Sequence, residues 1–536
     1  MNKSRLLFHV LGAVSIASAY TWPGQWDELE DIMYLQSGYN RRGFHDGVTP
    51  CSAFPQGGPG PHARHAAAEW VRTAFHDAIT HNKETGTGGL DGSLLYETDR
   101  PENTGSIGFT DTFGFFHSFL NRRVSLADLI ALGMFTAVKE CGGPTVQFRA
   151  GRIDATEAGE SGVPEPTTDI DATIAQFEKA GYTKEEMIAM VACGHTLGGV
   201  HGNDFPDIVG NSSAEAFPQF DSTTAKFDNV VVTEFLSGNT TNPLAAGPDA
   251  TNSDQRVFVV DKNATMQSLA DPDTFRSTCA TVFERIIDTV PSAVTLSEPI
   301  TPIEVKPRIQ QFYLQDQSTL QLEGNIRVRT TERQAPDEAK MEYFDSNGNH
   351  CDTCTITAPI ARFQGGMGIG FGEQFQFYEF NTNVAVGAIS KFNVHFTANS
   401  DETHTNNGLG FPLETAILNQ SPNSCLEQKD DGNGNWNLTA VAAVRNDRTN
   451  LPTWFEVTVK RFTEGIALPK LDIQKIEMAR WKDAGSDSEY TLYSGSFPLP
   501  IDSWSTAYDL YNGEGDDVAS VVNINSGQGA CNDWTA

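Results

Sequence analysis

Positive charge is what this chain has least of. Its 536 residues carry 37 Lys and Arg against 69 Asp and Glu, a net charge of −32. A nucleic-acid binder needs a basic footprint for the phosphates, and an anionic membrane surface needs a polybasic patch, so this balance argues against both partners. Long apolar runs are also missing. The run from Leu6 to Ala17 falls short of the ~18 residues a bilayer span needs, and no later run reaches that length. Cysteine is sparse: Cys51, Cys141, Cys193 and Cys279 lie before residue 300, and Cys351, Cys354, Cys425 and Cys531 after it. If the halves are separate domains, each allows three pairings, and spacing does not choose among them. Cys351-x-x-Cys354 has no second close Cys or His pair to complete a zinc site, so a local disulfide is expected. Disorder of the whole chain is excluded by its 39% hydrophobic content. The length calls for more than one domain.

What is there begins with a secretory signal over residues 1–19. Lys3 and Arg5 precede the apolar run, and Ala17-Ser18-Ala19 is a small-x-small cleavage site. An extracellular protein is expected, with disulfides permitted and no lipid anchor in the polar end Asn532–Ala536. Sequons at Asn211, Asn239, Asn263, Asn419 and Asn437 suit a secreted glycoprotein.

Two periods divide the rest. After an N-terminal segment, 20–61, residues 62–290 are patterned as helices. Pro61 suits a first helical turn before a run free of Gly and Pro, Ser125 and Asp128 are spaced as a cap, and Thr183 and Glu186 form a capping box. Asp271-Pro272 opens a helix with Phe275, Cys279, Val282, Phe283 and Ile286 on one side. Pro291, Pro299, Pro302 and Pro307 mark a linker over 291–307. Beyond it, Leu320, Leu322, Ile326 and Val328 alternate with polar residues, as do Phe392–Phe396 and Phe455–Val459. The fold class is therefore multidomain: a mostly α-helical domain, then an all-β sandwich-like or barrel-like domain over 308–536. No internal repeat at a fixed period is visible. Asp345-x-Asn347-x-Asn349 and Asp431-x-Asn433-x-Asn435 lack the Gly and Glu of a calcium-binding EF-hand and are read as surface turns.

The chemistry gathers in the helical half. In Arg72-Thr73-Ala74-Phe75-His76-Asp77, Arg72 and His76 are one helical turn apart with Phe75 beside them. That set suits peroxide: His76 can carry a proton between the two oxygens, and Arg72 can stabilise charge as the bond breaks. The carbonyl of Asn103 can accept the other N–H of His76 and fix its tautomer. Asp77, Gly89, Asp91 and Ser93 offer hard oxygen ligands for Ca²⁺, with Glu97 nearby. Further on, His195 lies on the apolar face of its helix. Thr196, Asp221, Thr223, the Lys226 carbonyl and Asp228 form a second candidate Ca²⁺ set. An axial histidine on haem iron needs an acceptor for its other N–H, and Asp261, after Phe258-Val259-Val260, is the candidate. The plainer readings are an exposed arginine, a core histidine and Gly/Asp turns.

Taken in order, Arg72-x-x-Phe75-His76-Asp77, Gly89-x-Asp91-Gly92-Ser93, Glu97 with Asn103, Gly151-Arg152, Val163-Pro164-Glu165-Pro166, Gly194-His195-Thr196 and Phe220-Asp221-Ser222-Thr223 through Asp228 resemble the plant, fungal and bacterial haem peroxidase superfamily, most closely its secreted fungal branch. The resemblance covers residues 62–290. It implies haem b between two helical lobes, two calcium ions, His195 as axial ligand with Asp261 as its partner, Phe220 packed on the proximal side and Pro164 at the haem edge. It implies hydrogen peroxide and small phenolic or aromatic donors as substrates, and a Cys51–Cys141 disulfide. The positions that match a manganese site hold His65, Glu69 and His201, so that site is not expected. The rival function is a secreted wall-binding or structural protein with an inactive peroxidase-like domain, its β half contacting a cell-wall polymer.

Overall fold

The computed structural model describes residues 20–52, 64–213, 216–397, 402–527 and 531–535. The signal segment 1–19 and the expected helix start at Pro61 lie outside the described residues. Twelve helices are described: α1 Asp27–Tyr34, α2 Ala66–Ala78, α3 Ile107–Phe116, α4 Leu126–Glu140, α5 Ile170–Ala180, α6 Lys184–Gly194, α7 Pro206–Val209, α8 Val230–Ser237, α9 Pro243–Ala246, α10 Ser253–Phe258, α11 Ala264–Leu269 and α12 Pro272–Ile287.

Their starts follow local chemistry. Ser125 accepts the Asp128 N–H at 3.0 Å to open α4. Thr183 and Glu186 exchange hydrogen bonds of 3.2 and 2.8 Å as a capping box on α6. Asp271 Oδ1 accepts from the Thr274 N–H at 2.8 Å, with Pro272 in the first turn of α12. Every residue of α4 from Leu126 to Val138 is buried, so this helix is the centre around which α2, α3 and α12 pack. Cys51–Cys141 and Cys193–Cys279 close the helical half, and Cys351–Cys354 and Cys425–Cys531 the β half.

The β region is two sandwiches rather than one domain. The first holds β2 Val305–Leu314, β3 Thr319–Arg329, β4 Glu338–Phe344, β5 Thr355–Pro359, β6 Met367–Gly370, β7 Glu373–Ala385, β8 Lys391–Thr397, β9 Glu402–His404 and β10 Phe411–Pro412. The second holds β11 Ile417–Asn419, β12 Cys425–Glu427, β13 Asn435–Arg445, β14 Thr453–Arg461, β15 Lys470–Glu477, β16 Ala479–Asp483, β17 Tyr490–Pro500, β18 Ala507–Glu514 and β19 Asp517–Asn525. The first unit pairs β2-β3-β7-β6 and β5-β4-β8-β10; the second pairs β12-β13-β17-β16 and β15-β14-β18-β19. Adding ten to the strand numbers 2 to 8 of the first unit gives the second, and the edge that β9 and β10 share on β8 is answered by β19 on β18. Both follow the strand order of immunoglobulin-type sandwiches. Each has its own core, with Leu320, Leu322, Phe392 and Phe396 in one and Phe455, Val457 and Val459 in the other. Strand β2 begins inside the stretch expected as linker, and it tolerates Pro307 because it is the edge of its sheet.

Both sandwiches are clamped to the helical half. On α1, Glu30 and Asp31 face Lys306 of β2 and Arg327 of β3. The Lys306 ammonium lies 2.8 Å from Glu30 and 2.9 Å from Asp31. The Arg327 guanidinium lies 2.5 Å from Glu30 and 2.8 Å from Asp31. Glu30, Lys306 and Arg327 are all buried. Nearby, β1, Ser37–Gly38, covers the edge strand β6, pairing Gly38 with Gly368. A side chain at Gly38 would meet the Met367 carbonyl at 2.1 Å, and its φ is +87°. The turn after β6 brings Phe371 edge-on to Phe135 of α4 at 5.2 Å. The second sandwich is held by Arg122 and Arg123, each 2.9 Å from the buried Asp509, and by Leu468, which enters the helical core.

Breaking a buried ion cluster leaves a charge without its partner, at a cost of about 3–5 kcal/mol. Arg327→Met is therefore expected to lower stability by about that amount in a denaturant titration. Burial pushes the Asp31 carboxyl up, but Lys306 and Arg327 outweigh it and hold it below its ordinary range. Its contribution is thus present above the usual carboxylate range and is lost as pH falls below it. A loss under 1 kcal/mol in Arg327→Met would contradict the clamp.

Candidate functional site

One cavity of about 530 Å³ lies between α2 and the end of α6. This volume is within the range of small-molecule and cofactor sites. Arg72, Phe75 and His76 line it from α2, and His195 and Phe220 line it from the opposite side.

On the α2 side, His76 Nδ1 lies 2.8 Å from Asn103 Oδ1. The Asn103 amide donates to the Glu97 carbonyl at 2.9 Å, so the atom facing His76 can only accept. Nδ1 therefore carries the proton, and Nε2 is the basic atom. Burial, and then the charge of Arg72, push the imidazole down to about 3, so it is neutral at ordinary pH. The Arg72 guanidinium lies 4.2 Å over the Phe109 ring and donates to the Thr104 carbonyl at 2.6 Å.

On the α6 side, His195 is the residue that ends the helix. Its ring stacks on Phe220, with centroids 4.2 Å apart and planes 12° from parallel. Its partner is not Asp261. His195 Nδ1 lies 2.8 Å from Asp254 Oδ2, and Asn242 donates to the same oxygen at 2.7 Å. A carboxylate only accepts, so Nδ1 holds the proton and Nε2 keeps its lone pair. Asp261 instead accepts from the Thr265 N–H at 2.7 Å, at the start of α11. The apolar run Phe258-Val259-Val260 suggested a buried acid just after it; those residues end a short helix, and its buried first-turn acid is Asp254. The signal for Asp254 was helical spacing, because Asp254, Val257 and Phe258 share a face. Asn242, Arg64 and Asp204 were missed altogether, since nothing local marks them.

The two oxygen clusters assemble. Asp77 accepts from the N–H groups of Gly92 and Leu94 at 2.7 and 3.0 Å. Asp91 accepts from Ser93 N–H at 3.0 Å, and the Gly89 carbonyl from Asp91 N–H at 2.8 Å. Burial and the neighbouring Asp91 push the Asp77 carboxyl well above its ordinary range. In the second cluster, Thr196 Oγ1 donates to the Asp228 carbonyl at 2.5 Å, and Thr223 Oγ1 lies 2.9 Å from Asp228 Oδ1. Asp221 Oδ2 is buried without a partner, and burial pushes that carboxyl to about 6. The ammonium of Lys226 sits 3.0 Å from Asp228, a cation where one was expected, although the expected ligand was the Lys226 carbonyl. The buried acids Asp77, Asp91 and Asp221, all pushed up by burial, sit in an all-oxygen donor set that fits Ca²⁺. Among the described residues no group of three or more His, Cys, Asp or Glu is arranged to hold a metal. Of the positions matched to a manganese site, Glu69 is taken by Arg64 and Arg72 at 3.1 and 3.2 Å. At the cavity rim stand Pro164, Glu165 and Pro166.

A family model described as Peroxidase matches residues 59–271. A WSC domain-containing protein of Arthroderma benhamiae is 43% identical over 490 residues, 89% of this chain and 63% of that protein. L-ascorbate peroxidase 5, peroxisomal, of Arabidopsis thaliana is 31% identical over 201 residues, 37% of this chain and 67% of its own. Manganese peroxidase 2 of Phlebia radiata is 33% identical over 179 residues, 32% of this chain and 44% of its own. The chain thus spans less than two thirds of the first of these relatives and under half of the third.

Asp254→Ala strands two donors, on the half-buried His195 and the buried Asn242. It is expected to lower stability by about 1–3 kcal/mol for each donor left without a partner, read from chemical denaturation.

Proposed function

The chain belongs to the haem peroxidase superfamily, and on that premise we propose that it is a secreted enzyme that reduces hydrogen peroxide and oxidises small phenolic or aromatic donors by one-electron steps. The observation that carries this reading is a pair of histidines across one cavity, each with Nδ1 tied to an acceptor and Nε2 left basic. Haem b would be held in this cavity by His195, with Phe75, Phe220 and Pro164 in its lining. Haem b bound there supplies the two-electron redox chemistry toward peroxide.

The chain's own residues supply the proton handling. His76 Nε2 takes the proton from one peroxide oxygen and delivers it to the other, which leaves as water. Asn103 keeps the imidazole in the tautomer that can do this. Arg72 remains a cation and stabilises the negative charge that develops as the bond breaks. Asp254 accepts the Nδ1–H of His195, which fixes the ring and raises the basicity of Nε2, the atom that would hold a haem iron. Donors approach at the rim beside Pro164. Asp77, Gly89, Asp91 and Ser93 on one side, and Thr196, Asp221, Thr223, Lys226 and Asp228 on the other, would hold calcium ions that tie neighbouring loops to the ends of the helices carrying the two histidines. No described helix is long and apolar enough to cross a membrane.

His76→Leu is expected to slow the peroxide step by at least the ~10²–10⁴ that general acid–base catalysis contributes, read by rapid mixing. In the unmodified protein that step should be flat down to about pH 3 and fall below it, as His76 takes a proton. The sign for stability is the same. The unfolded chain binds more protons between the ordinary histidine value of 6.5 and about 3, so stability declines as pH falls through that window. A purified protein that binds no haemin would favour the inactive wall-binding reading.

Calcium at a hundredfold excess over its dissociation constant adds about 2.7 kcal/mol per site. Chelation should therefore lower the melting midpoint, and excess Ca²⁺ should restore it. Identical melting curves in the two conditions would remove calcium from the account.

A further inference from the structure

Four charges, the middle two buried, run in a row from Asp204 in the loop after α6 to Arg72. Asp204 binds Arg64 Nη2. Arg64 Nη1 donates to Glu69 Oε1 at 3.1 Å, and Arg72 Nη1 donates to Glu69 Oε2 at 3.2 Å. Arg64 is 4% exposed and Glu69 is 7% exposed. The rest of the Arg72 guanidinium is held by carbonyls, Thr104 at 2.6 Å and Gly105 at 3.3 Å. The space for this row is built in: a side chain at Gly108 would meet Glu69 Oε2 at 2.2 Å. Burial pushes the Glu69 carboxyl up, but Arg72 and Arg64 outweigh it and keep it ionised.

Such a row has a consequence for the cavity. A carboxylate 3.2 Å from a guanidinium competes with any anion on the far side for that same charge. A second guanidinium on the other carboxylate oxygen weakens the hold. Resting on the assignment of Arg72 and His76 to peroxide, we propose that Glu69 is the positioning residue for Arg72. It fixes the guanidinium on the wall formed by Thr104 and Gly105 and sets how much positive charge the cavity presents. Arg64 tempers that grip by sharing the carboxylate, and Asp204 holds Arg64 in place.

The experiment uses the full-length haem-bound protein, with fluoride as the probe anion and the visible spectrum as the readout at one fixed pH. Glu69→Gln keeps the shape and removes the competing charge. It should tighten fluoride binding by roughly 2- to 100-fold, the span seen for coupled neighbouring charges. Arg64→Gln leaves Glu69 undivided on Arg72 and should weaken fluoride binding. In an Arg72→Leu background, Glu69→Gln should change nothing. The proposal is overturned by an unchanged constant in Glu69→Gln, by an equal change in the Arg72→Leu background, or by a shift of the same sign in Arg64→Gln. If Glu69→Gln does not fold, the sign in Arg64→Gln decides. An unmodified protein that takes up no haemin refutes the peroxidase reading itself, and this proposal with it. Haemin uptake with failed fluoride shifts overturns this proposal alone.

Discussion

Charge buried without a partner is among the costliest things a protein can contain, and the cluster of Glu30, Asp31, Lys306 and Arg327 makes that cost a matter of assembly. The acids stand on the first described helix and the bases on the first two strands of the β region. None of the four can be satisfied until residues nearly 300 positions apart meet; the Arg327–Glu30 bond alone spans 297. The cluster therefore sets the order of the architecture. The N-terminal segment serves both halves, and the helical lobes that hold the cavity are backed by sandwiches.

What was legible in the sequence was local. Ser125 with Asp128, Thr183 with Glu186 and Asp271 with Thr274 each close within a few residues, so their helices could be marked. The pairing of His76 with Asn103, 27 residues on, was also expected, because an amide oxygen is a fitting acceptor for an imidazole N–H. The partner of His195 was not. Asp254 lies in the first turn of one short helix and Asp261 just beyond its end, and only the packing of that helix against α6 brings Asp254 to His195. The ion row Asp204–Arg64–Glu69–Arg72 was invisible for the same reason: Asp204 is 140 residues from Arg64.

The doubling of the β region shows a different limit. Composition, spacing and length differ between the two sandwiches, and no fixed period links them. What repeats is the list of which strand pairs with which. Pairing is a relation between distant segments, so alternation of apolar residues can announce strands without announcing that they form two units. The second core is built from its own unit alone, while the first also takes in Leu418, Ala443, Tyr490 and Leu492 from the second sandwich, so the two units are packed against each other.

The short strand at Ser37–Gly38, laid along the edge of β6, has a meaning for how such a chain can be inherited or engineered. A gene fragment ending after α12 would encode every histidine of the cavity, yet it would leave that strand without a sheet and two acids without bases. A fragment holding only the sandwiches would open a bare sheet edge to chance association with other chains. The helical half and its extension are therefore not interchangeable parts that recombination can shuffle freely. They travel as one module, stitched at its very beginning.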